Sequence, residues 1–401
     1  MCSTAIVMIE SSFSGHLFHR AIRDLGHIPV LLTADAGRYR HLDTPDLAIV
    51  SADTASIDAI VEWCQRDQFG LDIIGVLSSS SASAGMAASV CRRLGLPGAK
   101  PEAIERCLNK FTQRDCLKGA GLLSPSYLFT ADPDAATKFC AEIGFPVIVK
   151  PAIGSGSMGV KLCSSLVEVI EQMSMVLGGD EFAASPGILI EQYVSGPEFS
   201  VETIGDVVIG ITAKHLGDHP HFVEVGHDFP ASLDWHVQQA IGATVIGAIR
   251  ALDLLWGPAH TEIRLSADGP VIIEVNPRMA GELIPELVRL ACGVDPVEAT
   301  VILATGGNPV LNRTSNRSAG IRFVSPDRDG ILHWGAGAQD ARKIDGVVDV
   351  ELHQPDSFRV QRRGDFRDRV GHVIAVTDDA NETAHALENA MRALGARVED
   401  G

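Results

Sequence analysis

Over its first hundred residues the chain alternates short apolar runs with stretches of helical periodicity, and this restricts the fold more than any other feature. Strands are predicted at 5–9, 28–33, 48–51 and 71–77, and helices at 15–25, 56–65 and 84–94. Short apolar strands separated by helices imply a parallel, doubly wound α/β sheet covered on both faces. The first strand-to-helix turn, Ser11-Ser12-Phe13-Ser14-Gly15, lacks the Gly-x-Gly-x-x-Gly fingerprint, so a dinucleotide site is not supported. Ser78-Ser79-Ser80-Ser81 follows a strand, where open α/β sheets bind ligands, although capping of the next helix is the plainer explanation. Gly95-Leu96-Pro97-Gly98 then closes a first domain.

Beyond residue 100 the pattern changes. A helix is predicted over 101–118, running through Asn109 and Lys110. Phe145-Pro146-Val147-Ile148-Val149-Lys150-Pro151 reads as a strand ending in a lysine, followed by a glycine-rich hairpin at 154–160. A helix at 166–177 and a strand at 187–191 follow. Next come a hairpin about Gly205-Asp206, a strand at 222–225 and a long helix at 233–252. A further helix at 285–292 ends at Gly293. Residues 308–318 form a polar linker, and 320–399 is strand-rich with a closing helix at 381–394. The expected domains are 1–100, an N-terminal α/β unit; 101–308, with a mobile lid at about 126–191; and 309–401. At 401 residues and 46% apolar, the chain can fill several cores.

A net charge of −18 argues against a general nucleic-acid or acidic-membrane binder, since such partners need a positive surface. No window reaches the roughly 18 uninterrupted apolar residues of a membrane span. The start of the chain lacks the basic and apolar regions of a signal peptide, so a cytoplasmic location is expected. Eight cysteines without Cys-x-x-Cys spacing point to reduced, structural thiols.

The chemistry concentrates in Val271-Ile272-Ile273-Glu274-Val275-Asn276-Pro277-Arg278. A strand directs Glu274 and Asn276 to one face, and the hairpin turn Gly269-Pro270 pairs it with Thr261-Glu262-Ile263-Arg264. Two carboxylates and an amide oxygen on adjacent strands make a hard-oxygen site suited to Mg²⁺ beside phosphates, with Arg278 close by for a developing anion. Lys110 and Lys150 offer cations for those phosphates. In Gly154-Ser155-Gly156-Ser157-Met158-Gly159 the backbone N–H groups and serine hydroxyls can turn toward phosphate oxygens, unless the segment is only a tight turn. It is not a Walker A loop, because no Gly-Lys-Ser/Thr follows. Glu191-Gln192-Tyr193-Val194 leaves an apolar strand as a polar hinge suited to adenine, with Glu198 placed for ribose hydroxyls.

Taken together, Asn109-Lys110, Val149-Lys150-Pro151, the glycine loop, Glu191-Gln192-Tyr193-Val194, Glu198, Lys214, Glu262 and Glu274-Val275-Asn276-Pro277-Arg278 resemble the ATP-grasp superfamily. Phe222-Val223-Glu224-Val225-Gly226-His227-Asp228-Phe229-Pro230, Arg278-Met279-Ala280-Gly281 and Arg369-Val370-Gly371-His372 are similar to segments of the bacterial L-amino acid ligases. That resemblance implies an ATP-grasp fold of α/β type, with a strand-rich C-terminal domain. It also implies an ADP-forming carboxylate–amine ligase working through an acyl phosphate, in dipeptide or natural-product biosynthesis.

Its cofactors would be ATP and Mg²⁺, with Mn²⁺ as a substitute, and its partners a small carboxylate and an amine. A homodimer is a family-level expectation. By the same resemblance Lys110, Lys150, Lys214, Gly154, Ser155, Gly156, Ser157 and Gly159 hold phosphates, and Glu262, Glu274 and Asn276 hold metal. Arg278 stabilises the acyl phosphate, Glu224 and His227 bind or deprotonate the amine, and Gly281 and Glu282 contact substrate. The acid at Glu282 suggests a polar or cationic substrate group. A carboxyphosphate-forming enzyme and a non-catalytic nucleotide-binding regulator are the alternatives.

Overall fold

The computed structural model describes residues 3–11, 15–42, 47–66, 70–154, 156–179, 185–217, 222–335 and 337–400. The parallel sheet expected at the start of the chain is present, in the order Ala48–Ser51, Ile28–Thr33, Ser3–Ile9, Leu71–Leu77. Its central strand is buried from Ala5 to Ile9, as continuous apolar runs require. One face packs on the helices Ile57–Gln65 and Ser81–Leu94. The other is covered by Gly15–Asp24 together with a helix the sequence reading left unassigned, Pro296–Ala304. A Cβ on Gly75 would lie 3.0 Å from the Ala304 carbonyl oxygen, so sheet and helix meet backbone to backbone. The first domain therefore completes its core with residues from beyond position 279, and this brings its loops to the cleft.

The helix expected over 101–118 is two helices, Pro101–Leu108 and Lys110–Gly119. Asn109 breaks them: its backbone is extended and its side chain accepts from the Thr112 amide at 3.0 Å, capping the second helix. The expected strand at 222–225 is displaced to Glu224–Phe229, and it pairs with Val207–Leu216 and Ser318–Val324.

A four-stranded sheet ordered Tyr127–Thr130, Ile188–Gln192, Val147–Pro151, Lys161–Cys163 carries the helices Pro133–Ile143 and Leu166–Gly178 on a small apolar core. The central sheet has eight strands, in the order Gly269–Asn276, Pro258–Ser266, Glu198–Ile204, Val207–Leu216, Glu224–Phe229, Ser318–Val324, Gly371–Thr377, Val347–Leu352. Its last three strands follow the polar stretch at 308–318. The same hydrogen-bonded sheet thus crosses that stretch and joins the C-terminal region to the cleft wall. The closing helix Ala380–Leu394 packs on this sheet.

Candidate active site

The four-stranded unit and the eight-stranded sheet face each other across an open cleft.

One end is rich in cations. Lys110 opens its helix and donates to Glu274 Oε1 (2.8 Å) and the Gly154 carbonyl (2.7 Å). One turn along the same helix, Arg114 is buried and donates to Glu191 Oε1 at 2.6 Å. Lys150 reaches Glu191 Oε2 at 2.5 Å from the neighbouring strand. Two buried cations thus share a single carboxylate. Burial, with Arg114 and Lys110 nearby, pulls the Lys150 pKa down against the attraction of Glu191. Burial alone would raise the Glu191 carboxyl, but Arg114 and Lys150 override it and bring it to about 2. A surplus positive charge with so little water is a site for an anion.

The glycine loop bends over this end. Gly156, Ser157 and Gly159 have φ of 67°, 59° and 71°, a left-handed run that glycine tolerates best. Gly154, Gly156 and Ser157 line the cleft. Gly159 is absent from its wall and accepts from Gln172 Nε2 at 2.8 Å, which anchors the loop. Ser155 lies outside the described residues. A Cβ on Gly156 would come within 2.9 Å of the Phe366 ring, so the C-terminal region also bounds the loop.

The other end is rich in carboxylates. Glu262 and Glu274 are direct cross-strand partners, and Asn276 lies two residues on, on the same face. Lys214 has Glu198, Glu224 and Glu262 at 2.8, 3.1 and 3.3 Å. Its ammonium, expected to hold phosphate, is therefore shared among three carboxylates in this structure, and their charges raise its pKa well above the ordinary value despite burial. Glu198, expected at the ribose, has its second oxygen on Arg264 Nε at 2.9 Å. Arg264 also donates to the Val194 carbonyl at 2.9 Å and stacks between the Tyr193 and Phe222 rings, centroids 5.0 and 5.4 Å away. It thereby fixes the hinge of Gln192, Tyr193 and Val194, all of which line the cleft. Glu191, expected to belong to that hinge, turns its side chain toward Arg114 and Lys150 instead. Behind Glu262, His260 sits 2.7 Å from Glu202 and 3.4 Å from Glu262. Those carboxylates overcome burial and raise its pKa to about 9.

Between the two ends Arg278 reaches across to the first domain. Its Nε donates to Ser81 Oγ at 2.7 Å and its Nη1 to the Met279 carbonyl at 2.7 Å. Of the two readings of the serine cluster, capping is met, since Ser80 caps the helix, while Ser81 accepts from Arg278. Glu282 and Leu283 follow Gly281 with φ of 60° and 61°, two adjacent non-glycine residues in the left-handed region. Strain of that kind, on the order of 1–3 kcal/mol each, persists only where surrounding contacts impose it. Here Glu282 is gripped by His227 Nε2 at 2.7 Å and Arg369 Nη1 at 2.5 Å.

Its charge is thereby spent, which removes the basis for expecting a cationic substrate group from this acid alone. His227, expected at the substrate, is fully buried, does not line the cleft and has its ring against Glu282. Arg369 also binds Glu224 at 2.6 Å, tying the C-terminal region to the substrate end. Burial and the nearby Glu282 raise the Glu224 carboxyl above its ordinary range.

Residues 143–286 match the family model for the ATP-grasp domain, and 322–399 match that for the L-amino acid ligase C-terminal domain 2. An uncharacterized protein designated y4rH from Sinorhizobium fredii is 37% identical over 97% of this chain and 82% of its own length. Dapdiamide A synthase of Enterobacter agglomerans is 22% identical over 93% of this chain and 92% of its own. The crystal structure of an L-amino acid ligase from Bacillus licheniformis superposes with a TM-score of 0.81 over the whole of both chains, at 21% identity.

The chain belongs to the ATP-grasp superfamily. It is a carboxylate–amine ligase of that superfamily, an ADP-forming enzyme that makes C–N bonds. ATP with Mg²⁺ is the superfamily's cofactor pair, and the cleft has the donor chemistry for both. Glu262, Glu274 and Asn276 offer oxygen only, which suits Mg²⁺ or Mn²⁺ over softer ions. The surplus cation at Arg114 and Lys150 suits a polyphosphate.

Four participants escaped the sequence reading: Arg114, Arg264, His260 and Arg369. Arg114 had a visible signal, since it lies four residues after Lys110 and so on the same helix face. Arg264 lies two residues after Glu262 on its strand, the same kind of signal. Arg369 was read only as the start of the Arg369-Val370-Gly371-His372 segment and given no role, because its partners Glu224 and Glu282 are far away in sequence. Among the described residues no helix is long and apolar enough to cross a membrane.

Proposed function

We propose that the enzyme activates a small carboxylic acid or amino acid as an acyl phosphate and joins it to an amine or second amino acid. The observation that carries this reading is the polarity of the cleft, with buried cations under the glycine loop and the carboxylates of Glu262 and Glu274 adjoining them at Lys110. A triphosphate would lie toward Lys110 and Lys150 with adenine near the Tyr193–Val194 hinge. Glu262, Glu274 and Asn276 would hold Mg²⁺, which would supply charge that neutralises the phosphates.

A substrate carboxylate oxygen attacks the γ-phosphorus, the bond to the β-bridging oxygen breaks, and ADP leaves. The amine nitrogen then attacks the acyl carbon, and inorganic phosphate departs with the oxygen that first attacked. Arg278, already oriented by Ser81, faces the charge that gathers on the acyl phosphate and on the tetrahedral oxyanion. A donor so placed is worth about 3–4 kcal/mol in the transition state. Glu224 is the acceptor for the ammonium proton, because its raised pKa lies nearer the working range of a general base. His227 is a positioning residue that holds Glu282 beside Glu224.

The four-stranded unit, about 126–191, is proposed to close over the acyl phosphate and keep water out. Limited proteolysis with and without a non-hydrolysable ATP analogue tests this, equal cleavage being evidence against closure. Residues 1–100, 101–308 and 309–401 as separate domains, a homodimer, and a place in dipeptide or natural-product biosynthesis belong to the same proposal.

The experiment is a screen of amino acids and small dicarboxylates in pairs for ADP and phosphate release, with mass spectrometry of the product. An amide whose formation needs both partners is expected. ADP release driven by bicarbonate in place of an organic acid would overturn the reading.

A further inference from the structure

On the far side of Arg369 the strand Val347–Leu352 and the residue after it carry Asp349-Val350-Glu351-Leu352-His353. The apolar member Val350 is buried, while Asp349, Glu351 and His353 share the opposite face. Across the pair, His372 is the direct partner of Glu351. His353 Nε2 lies 3.1 Å from His372 Nδ1, Glu351 Oε2 lies 3.9 Å from His372 Nε2, and Glu351, His353 and His372 each bring one ligand atom within 4.8 Å of the others. Two nitrogens each about 2.0–2.1 Å from a tetrahedral Zn²⁺ stand roughly 3.3 Å apart, close to the spacing seen.

The other nitrogen of each ring faces an oxygen acceptor. His372 Nε2 is 3.0 Å from Asp349 Oδ2, and His353 Nδ1 is 3.4 Å from the Arg369 carbonyl. If each ring gives its proton to that acceptor, the two remaining lone pairs point at one another. This is the arrangement of metal-ligating histidines, whose outer nitrogens are held by a carboxylate and a backbone carbonyl. Two imidazoles and one carboxylate favour a borderline transition metal over Mg²⁺ or Ca²⁺.

We propose that Glu351, His353 and His372 bind a divalent transition metal of the Zn²⁺ type. Water completes its coordination, and Asp349 and the Arg369 carbonyl hold the two rings. The site is distinct from the Mg²⁺ position at Glu262 and Glu274. It pins the edge strand to the strand Gly371–Thr377 and fixes the backbone at Arg369, whose guanidinium holds Glu224 and Glu282.

The test uses the full chain, freed of metal by a chelator and dialysed against Zn²⁺ without nucleotide, with bound metal counted by atomic absorption. Co²⁺ replaces Zn²⁺ in a parallel series, because a low-coordinate site with histidine ligands absorbs visibly. One Zn²⁺ per chain is expected. His353→Ala and Glu351→Gln, both at exposed positions, should each weaken binding at least about tenfold and abolish the Co²⁺ band. An unchanged metal-free melting curve shows that these variants fold. Sub-stoichiometric zinc, equal affinity in His353→Ala, or zinc displaced by excess Mg²⁺ would each overturn the proposal. The last result would put the ion among the cleft carboxylates instead.

Discussion

Replacing Glu191 by glutamine removes the one carboxylate that Arg114 and Lys150 share. Both cations stay almost fully buried, and of the two carboxylate oxygens that Arg114 Nε and Lys150 Nζ meet within 2.6 Å, one becomes a neutral amide oxygen and the other an NH2 group that cannot accept. Breaking a buried ion pair by deleting one partner costs about 3–5 kcal/mol, because the other charge is left uncompensated. The pKa of Glu191 gives an independent figure. Falling from 4.5 to about 2 on folding, it corresponds to roughly 3 kcal/mol. Since the folded pKa is depressed, that stabilisation is complete above about pH 4.5 and fades as the pH falls toward 2.

The assay is thermal and urea unfolding of both proteins from pH 7 down toward pH 2, reported as apparent midpoints because a chain of several cores need not unfold in one step. At pH 7 a drop of roughly 5–10 °C in midpoint is expected, with the two curves converging below pH 4.5. ATP binding should weaken too, because burial already favours neutral Lys150 and Glu191 opposes this. A midpoint within about 1 °C of wild type at pH 7, or a gap that does not narrow in acid, would refute the reasoning.

His260, with its pKa raised to about 9, contributes stability that is complete below about pH 6.5 and lost as the pH rises through 9. Unfolding curves of the parent and His260→Gln between pH 6 and 10 should converge at the alkaline end, and parallel curves would contradict this. Arg369→Met frees Glu224 and Glu282 from their shared cation and should raise KM for the amino-acid substrates at least about tenfold, by steady-state kinetics. KM for ATP should stay near the parent value, because Arg369 holds Glu224 and Glu282 at the substrate end. Glu274→Ala should lower amine-dependent phosphate release roughly a hundredfold or more and raise the Mg²⁺ requirement. Release unaffected by that change would remove Glu274 from the metal site.

What could be read in advance was whatever rests on local periodicity or on residues close together in one strand. The alternation over the first hundred residues gives the parallel sheet, and the i, i+2 spacing of Glu274 and Asn276 puts both on the cleft wall. The break at Asn109 was also legible, since a residue able to cap sits where the helix restarts, but a continuous helical pattern concealed it. The helix Pro296–Ala304 carries apolar residues on most of its surface. It lies between two domains and shows no amphipathic stripe to mark it.

The charge pairings were the least legible. Glu191 faces Arg114 and Lys150, and Glu198 faces Lys214 and Arg264, through pairings between strands and helices far apart in sequence. Roles for single acids, such as a ribose contact for Glu198 or a cation sensor at Glu282, cannot be read without those partners.

The central claim is that the substrate carboxylate itself receives the γ-phosphoryl group. It is tested by supplying the acid substrate with ¹⁸O in both carboxylate oxygens and analysing the products by mass spectrometry. An acyl phosphate requires that inorganic phosphate carry one labelled oxygen and the amide carbonyl keep the other, with ADP as the nucleotide product. Phosphate free of label, or label recovered in AMP, would contradict it.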